Sequence, residues 1–460
     1  MTPRRRTWVM LSLTVLACVA ALQLPQEPAT QSPAPPNPAD AHWPSWRGPL
    51  GTGEAPDAKP PTEWSEEQNL RWKVALPGLG HSTPVVWGER LFVTWALPIG
   101  DEVVPAPETA PGAHDNPPVV RARRFEVAAY ARTDGALLWR RALHEELPHE
   151  RTHSTGSFAS ASPVTDGEHV FAFFGSRGLF CLDMDGYVIW EKQLGHMLTK
   201  HHHGEGSTPA LHGDSLVINW DHEQDSFTVC LDKSTGEERW RVTRDEVTSW
   251  SSPIIAVVDG KPQTIVSATG RMRGYDLADG KEIWNCPGMA HNVVATPVFG
   301  DGILMAGSSY EKQALIGLRL AGAEGSLTGT KHFLWYRRRG APYVPSPMLL
   351  NGWLYLLNHN QGFLSRIRAE SGDEPERPLR LAHLDTVFAS PMAADGRIYI
   401  PDRSGLTVVL AHEDPPRILA WNSLDDSFSA SPVAVEDQLF LRGEHFLYCL
   451  AQDPDPAEDQ

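Results

Sequence analysis

The stretch "SASPVTDGEHVFAFFGSRGLFCLDMDGYVIW", Ser160 to Trp190, holds four short extended runs separated by turn signals. "SPVT" meets a turn at Asp166-Gly167, and the strand "HVFAFF" follows. The polar loop "GSRG" leads to "LFCLD", and Asp185-Gly186 turns the chain into "YVIW". Asp-Gly between apolar runs is a hairpin signal, because both residues tolerate the positive φ that tight two-residue turns require. The unit reads as four short antiparallel strands.

Working outward, the opening signal of this unit recurs along the chain: a small residue, then Ser or Thr, then Pro. Its prolines are Pro84, Pro163, Pro209, Pro253, Pro297, Pro347, Pro391 and Pro432, at intervals of 79, 46, 44, 44, 50, 44 and 41 residues. A period in the forties is that of propeller blades. The long first interval contains an insertion, Leu97 to Arg124. "LVINW" with "FTVCLDKSTGEERW", and later "MRGYDLADGKEIW", repeat the inner pattern. Closing tryptophans stand at Trp139, Trp190, Trp240, Trp284, Trp335 and Trp421, while "RPLRLAHL" holds that place in the sixth unit. The 38 glycines, 39 prolines and 16 tryptophans suit many turns with aromatic anchors and few long helices. The pattern predicts an all-β, eight-bladed propeller of four-stranded antiparallel blades over residues 70–452.

The eighth unit supplies only "ASPVAV", "QLFLRG" and "FLYCLAQ". An open blade would expose a strand edge, which propellers avoid by closure. Before the first unit lies an orphan strand, "NLRWKVAL", with Trp72 where other units carry their tryptophan. The fold is therefore expected to be closed by this N-terminal strand, with Leu70–Leu76 beside Phe446–Gln452.

The recurring "SP…DG…LD…TG…W" resembles the pyrroloquinoline-quinone-type propeller repeat, also found in the outer-membrane-assembly lipoprotein BamB and in many secreted bacterial proteins of unassigned function. "WPSWRGPLGTG", Trp43 to Gly53, resembles the segment preceding the propeller in many of those secreted proteins. The resemblance covers roughly Trp43 to Gln452 and speaks to fold more than function, since function sits on grafted sites. Quinoprotein dehydrogenases of this type carry two adjacent cysteines beside the cofactor; this chain has no adjacent pair. Their calcium ligands and Asp base find no matching positions. The cofactor is left unknown, and the comparison argues against pyrroloquinoline quinone.

Cys181, Cys230 and Cys449 hold equivalent positions in different units. That separates them beyond the Cα spacing of about 4.4–6.8 Å that a disulfide needs. Together with Cys286 they are expected to be free buried thiols.

"TKHHHGEGSTP", Thr199 to Pro209, enters the third unit from the face that also carries the insertion. In an extended chain His201, His203 and Glu205 point to one side, and two histidines with a carboxylate are a metal-ligand set. His81 and His222 are candidates to complete it. The opposing reading is a solvated loop, to which Gly204 and Gly206 are suited. Arg177, Arg271, Arg273, Arg403 and Arg442 fall in or beside loops of the same face. They form either an anion cradle or ordinary polar loops. Trp250 offers a stacking surface or simple packing.

"MTPRRRTWVMLSLTVLACVAAL" has a basic start and an apolar stretch too short for a comfortable span. Residues 1–22 read as a signal peptide or N-terminal anchor, with lipid attachment at Cys18 as a further route. All three place the body outside the cytoplasm. Residues 23–42 read as a Pro-rich linker, 43–69 as a Trp-rich segment and 453–460 as a disordered acidic tail. Net charge is −17 and becomes −20 without the leader arginines Arg4, Arg5 and Arg6. That argues against nucleic acid and anionic membrane surfaces as partners; membrane contact is expected only through the leader. No nucleophile elbow, P-loop or H-E-x-x-H motif occurs. The leading expectation is an extracytoplasmic binding or interaction propeller, for a protein or glycan partner, without catalysis of its own. The alternative is a quinone- or metal-dependent oxidoreductase with its site in the funnel.

Overall fold

The computed structural model describes Thr2 and residues 42–310, 312–358 and 362–453. The leader with Cys18, nearly all of the Pro-rich linker and the acidic tail beyond Asp453 lie outside the described residues. No helix among the described residues is long and apolar enough to cross a membrane.

Eight antiparallel sheets follow one another around the ring as blades one to eight. In blade three the middle strands, Ser215–Trp220 and Phe227–Asp232, are buried along almost their whole length, because neighbouring blades cover both faces. The outer strand Glu238–Thr243 fully buries only Trp240. Alternation of side chains therefore shows at the rim, where one face meets solvent.

The Ser/Thr of each Ser/Thr-Pro signal holds the blades together at the centre. Thr83 N–H donates to Ser162 Oγ, Ser162 to Thr208, Thr208 to Ser252 and Ser252 to Thr296, each at 2.9–3.0 Å. Thr296 donates to Ser346, Ser346 to Ser390, Ser390 to Ser431, and Ser431 back to Thr83, again at 2.9–3.0 Å. Every innermost strand thus satisfies a buried backbone donor with its neighbour's hydroxyl.

A second device works at the rim. The Nε1 of Trp72, Trp139, Trp190, Trp240 and Trp335 donates at 2.8–2.9 Å to a carbonyl of the following blade: Arg132, Met184, Lys233, Leu277 and Ala369. Each ring also lies on a turn glycine of that blade, Gly135, Gly186, Gly236, Gly280 or Gly372, at φ between +71° and +83°. A Cβ there would come within 2.6–2.8 Å of the ring. Trp284 departs from this pattern. Its Nε1 donates to Gln263 Oε1 within its own blade, and the two-residue strand Gly325–Ser326 pairs along its outer edge. Trp421 meets His383 edge-on. Blade six, without a closing tryptophan, has the short outer strand Leu379–Arg380.

Blade eight closes with the N-terminal strand Leu70–Ala75, antiparallel to Phe446–Leu450, with Trp72 opposite Cys449. Cys181 and Cys230 likewise sit opposite Trp190 and Trp240. All four described cysteines are buried and free. Burial pushes the thiols of Cys181 and Cys449 up to about 12, so they are not nucleophiles near neutral pH.

Candidate functional site

The Trp-rich segment before the first blade builds the floor of a funnel. Strand His42–Trp43 adds to the inner edge of blade one, and Glu54–Ala55 runs parallel to Met392–Ala394 in blade seven. Between them Arg47 is buried and spans blades six and seven, donating to the carbonyls of Pro347 and Pro391 at 3.2–3.3 Å. Burial alone pushes its guanidinium down to about 9. Trp46 Nε1 donates to Ser431 Oγ, a member of the central ring, at 3.1 Å. Above Trp46 opens a cavity of about 770 Å³ whose wall includes His81, Trp250, Tyr310, Tyr343 and Phe388. Tyr310 and Tyr343 stack with ring centroids 5.8 Å apart.

The insertion lengthens two strands of blade one, Arg90–Ile99 and Ala122–Ala131, and folds its loop onto the histidine stretch. Asn116 Nδ2 donates to the His201 carbonyl at 2.7 Å, and His201 Nδ1 lies 2.6 Å from the Pro111 carbonyl. His202 Nδ1 lies 2.8 Å from Glu108 Oε1. The next loop is stitched in as well: Ser154 N–H donates to the Asp115 carbonyl, and Thr152 Oγ1 to that of His203.

These contacts bring together a set the sequence reading did not assemble. Ring nitrogens of His114, His153 and His203 all lie within 4.8 Å of one another. His203 stands edge-on to both partners at centroid distances of 4.8 Å. Its Nε2 is buried and has no hydrogen-bond partner. Asp115 Oδ2 lies 3.1 Å from His114 Nδ1 and 4.0 Å from His153 Nε2. Burial first, then the neighbouring imidazoles of His153, His114 and His201, push His203 down to about 4. His153 is lowered as well, chiefly by burial. Both shifts favour the neutral imidazole at His203 and His153.

The expected set of His201, His203 and Glu205 is divided. Lys200–His202 is a tight turn with positive φ at His201 and His202, so period-two alternation does not apply. His201 stays beside His203, with centroids 5.3 Å apart. Glu205 turns the other way and accepts from Ser176 N–H, Ser176 Oγ and Arg177 Nη1 at 2.6–2.7 Å. Of the two further candidates, His222 is buried with Nδ1 accepting from Leu198 N–H. His81 reaches the cavity. Burial and the charges of Arg442 and Arg403 push it down to about 3.

The arginines are mostly structural in their contacts. Arg177 is held by Glu146 and Glu205, and Arg273 by Asp245, Glu246 and Glu282. Arg442 is fully buried against Ser82 and the Thr94 carbonyl, and burial pushes it down to about 9. Arg403 lies over Phe388, 5.2 Å from the ring centroid, beside the cavity. Arg271 is half-buried in the strand Arg271–Asp276, where its backbone N–H donates to Glu246. Trp250 donates through Nε1 to the Gly204 carbonyl, and the residue lines the cavity. His114, Asp115, His153, Trp46, Tyr310 and Tyr343 were missed. The one available signal was the insertion itself, an interruption of the repeat that carries His114.

The family model described as outer membrane protein assembly factor BamB matches residues 123–377 and 230–451. No curated protein sequence matches the chain. Among solved structures, BamB from Moraxella catarrhalis is 14% identical, with a TM-score of 0.53 over 77% of this chain and 99% of its own. Quinohemoprotein alcohol dehydrogenase from Comamonas testosteroni is 10% identical, with a TM-score of 0.55 over 91% of this chain and 82% of its own. The computationally designed Ika8 protein is 10% identical, with a TM-score of 0.50 over 76% of this chain and 100% of its own. At such identities the shared feature is the propeller itself. By the family model and its repeat, the chain belongs to the BamB family of pyrroloquinoline-quinone-like β-propellers.

Proposed function

We propose that the protein is an extracytoplasmic binding propeller that takes a segment of a protein partner into its funnel and performs no chemistry on it. The observation that carries this reading is the cavity of about 770 Å³ floored by Trp46 and walled by Trp250, Tyr310, Tyr343 and Phe388. Rigid aromatic side chains supply much contact area for little lost conformational entropy, and they are enriched among the residues that dominate protein interfaces. Membership of a family described by an assembly factor supports a protein as the partner. Glycan remains the other ligand class that the same aromatic wall would stack. The alternative, a metal-dependent oxidoreductase, draws its support from the imidazole cluster; its quinone form lacks the adjacent cysteines.

A photo-reactive side chain placed at Ser429 on the cavity wall, and separately at Asp279 on the opposite face, tests the reading. The expectation is a discrete protein adduct from Ser429 alone, weakened by about tenfold or more when Tyr310 and Tyr343 are both replaced by Ala. Equal adducts from both positions, or none from Ser429, overturn it. Cell fractionation of the natively expressed chain tests the compartment.

A further inference from the structure

We propose that His114, His153 and His203 form a three-histidine site for a divalent transition metal of the zinc class, with the remaining coordination position open to the funnel. The inference goes beyond the binding reading, and its test needs no partner.

Three loops supply the ligands: the blade-one insertion, the loop from blade one to blade two, and the loop from blade two to blade three. Their convergence is built rather than incidental. His153 N–H donates to the His203 carbonyl. Asn116 and Arg151 tie the insertion down, Asn116 to His201 and Arg151 to the carbonyls of Ala106 and Asn116. Gly204 follows at φ +87°, where a Cβ would lie 2.6 Å from Thr152 Oγ1.

The chemistry of the donors selects the ion. Neutral imidazole suits zinc, copper, nickel and iron, whereas calcium and magnesium demand oxygen. A zinc ion about 2.0–2.1 Å from each nitrogen needs the three nitrogens nearer to one another than their present bound of 4.8 Å. Metal binding therefore requires the three rings to turn toward one another. Nε2 of His203, buried and without a partner, is the coordinating atom. Asp115 beside His114 Nδ1 matches the carboxylate that commonly orients a metal-bound histidine through its other nitrogen. His201 remains outside the set, with Nδ1 engaged at the Pro111 carbonyl. All three ligands line the cavity, so the open position faces it. Three histidines with a vacant position can bind water or a carboxylate of an incoming segment.

The test uses the full chain without a histidine tag, stripped with chelator and titrated with Zn²⁺, and with Co²⁺ for its visible spectrum. One equivalent per chain is expected, with the d–d bands of a four-coordinate cobalt site. His203→Ala and His153→Ala should each weaken binding by at least about tenfold, and Asp115→Asn by about tenfold. His212→Ala, at an exposed strand end of blade three, should leave it unchanged. His203→Gln, with folding checked by circular dichroism, separates loss of a ligand from loss of the loop. Zn²⁺ should also raise the melting temperature of the unsubstituted protein and not that of His203→Gln. Absence of a stoichiometric site, or binding that survives His203→Gln in a folded chain, overturns the proposal. Photo-adducts from Ser429 in the His203→Gln protein read the binding function separately.

Discussion

Ser431 N–H donates to Thr83 Oγ1 at 3.0 Å across 348 residues of chain, and this bond completes a ring of eight. Because each hydroxyl serves the N–H of another blade, no position in the ring is privileged. Replacing Thr83 by Val keeps the shape and leaves the buried Ser431 N–H unpaired, at a cost of about 1–3 kcal/mol. Thr296→Val, on the far side of the ring, should cost the same within error. Chemical denaturation of both variants checks this; a neutral Thr83→Val would mean that water replaces the hydroxyl.

Trp72 makes a second closure, at the rim. It is 8% exposed, stands opposite Cys449, and reaches Arg132 in blade one. Trp72→Ala is expected to cost about 3–5 kcal/mol. Trp72→Phe retains part of the ring and loses the 2.9 Å bond to the Arg132 carbonyl, so it should cost less. A Trp72→Ala protein that unfolds at the wild-type denaturant concentration would show that the N-terminal strand contributes nothing to closure.

The repeat was legible because each of its letters has a mechanical role. Ser/Thr before Pro makes the central ring, and the turn glycine receives the preceding blade's tryptophan. Trp284 and Trp421 stand in the outer strands as the repeat implies, but meet different neighbours from the other closing tryptophans. Trp284 bonds Gln263 of its own blade instead of a carbonyl of the next. The histidine cluster was legible only in His203, because His114 and His153 sit in other loops outside the repeat. Their separation is set by how the insertion folds. The local reading of "HHHGE" assumed an extended chain, but Asn116, Pro111 and Glu108 hold His201 and His202 in a turn. Glu205 was drawn off by Ser176 and Arg177, groups distant in sequence.

Two glycines with similar backbone angles separate close approach from conformation. Gly236 has φ +73° and packs on Trp190, where a Cβ would lie 2.8 Å from the ring. Gly213 has φ +55° with nothing within 4 Å. Alanine at Gly213 should cost only the left-handed conformation, on the order of 1 kcal/mol. Alanine at Gly236 adds displacement of the tryptophan and should cost roughly 1–3 kcal/mol more. Equal losses in thermal unfolding would mean that the rim contact is loose enough to yield.

Glu150 should give the pH profile a recognisable slope. Its carboxylate is buried near the histidine wall, accepts from Thr199 N–H and Thr199 Oγ1, and has Glu205 and Arg177 among the charges acting on it. Burial, with a smaller push from Glu205, raises it from 4.5 to about 7 against the opposing effect of the Thr199 bonds and Arg177. The folded chain therefore holds this proton more tightly than the unfolded chain. Its contribution to stability is fully present below pH 4.5 and is lost as pH rises through about 7. The full swing is on the order of 3 kcal/mol. His203 and His81 run the other way. Their lowered values make the folded chain gain stability as pH rises toward the ordinary histidine value of 6.5. The net profile mixes these terms, so the comparison must be with Glu150→Gln, which keeps an acceptor for Thr199 and removes the titration. Relative to wild type, this variant should be least favoured at pH 4.5 and should gain steadily up to about pH 8. A stability difference that is flat across that range, measured by denaturant unfolding at each pH, would show that Glu150 titrates as an ordinary carboxylate despite its burial.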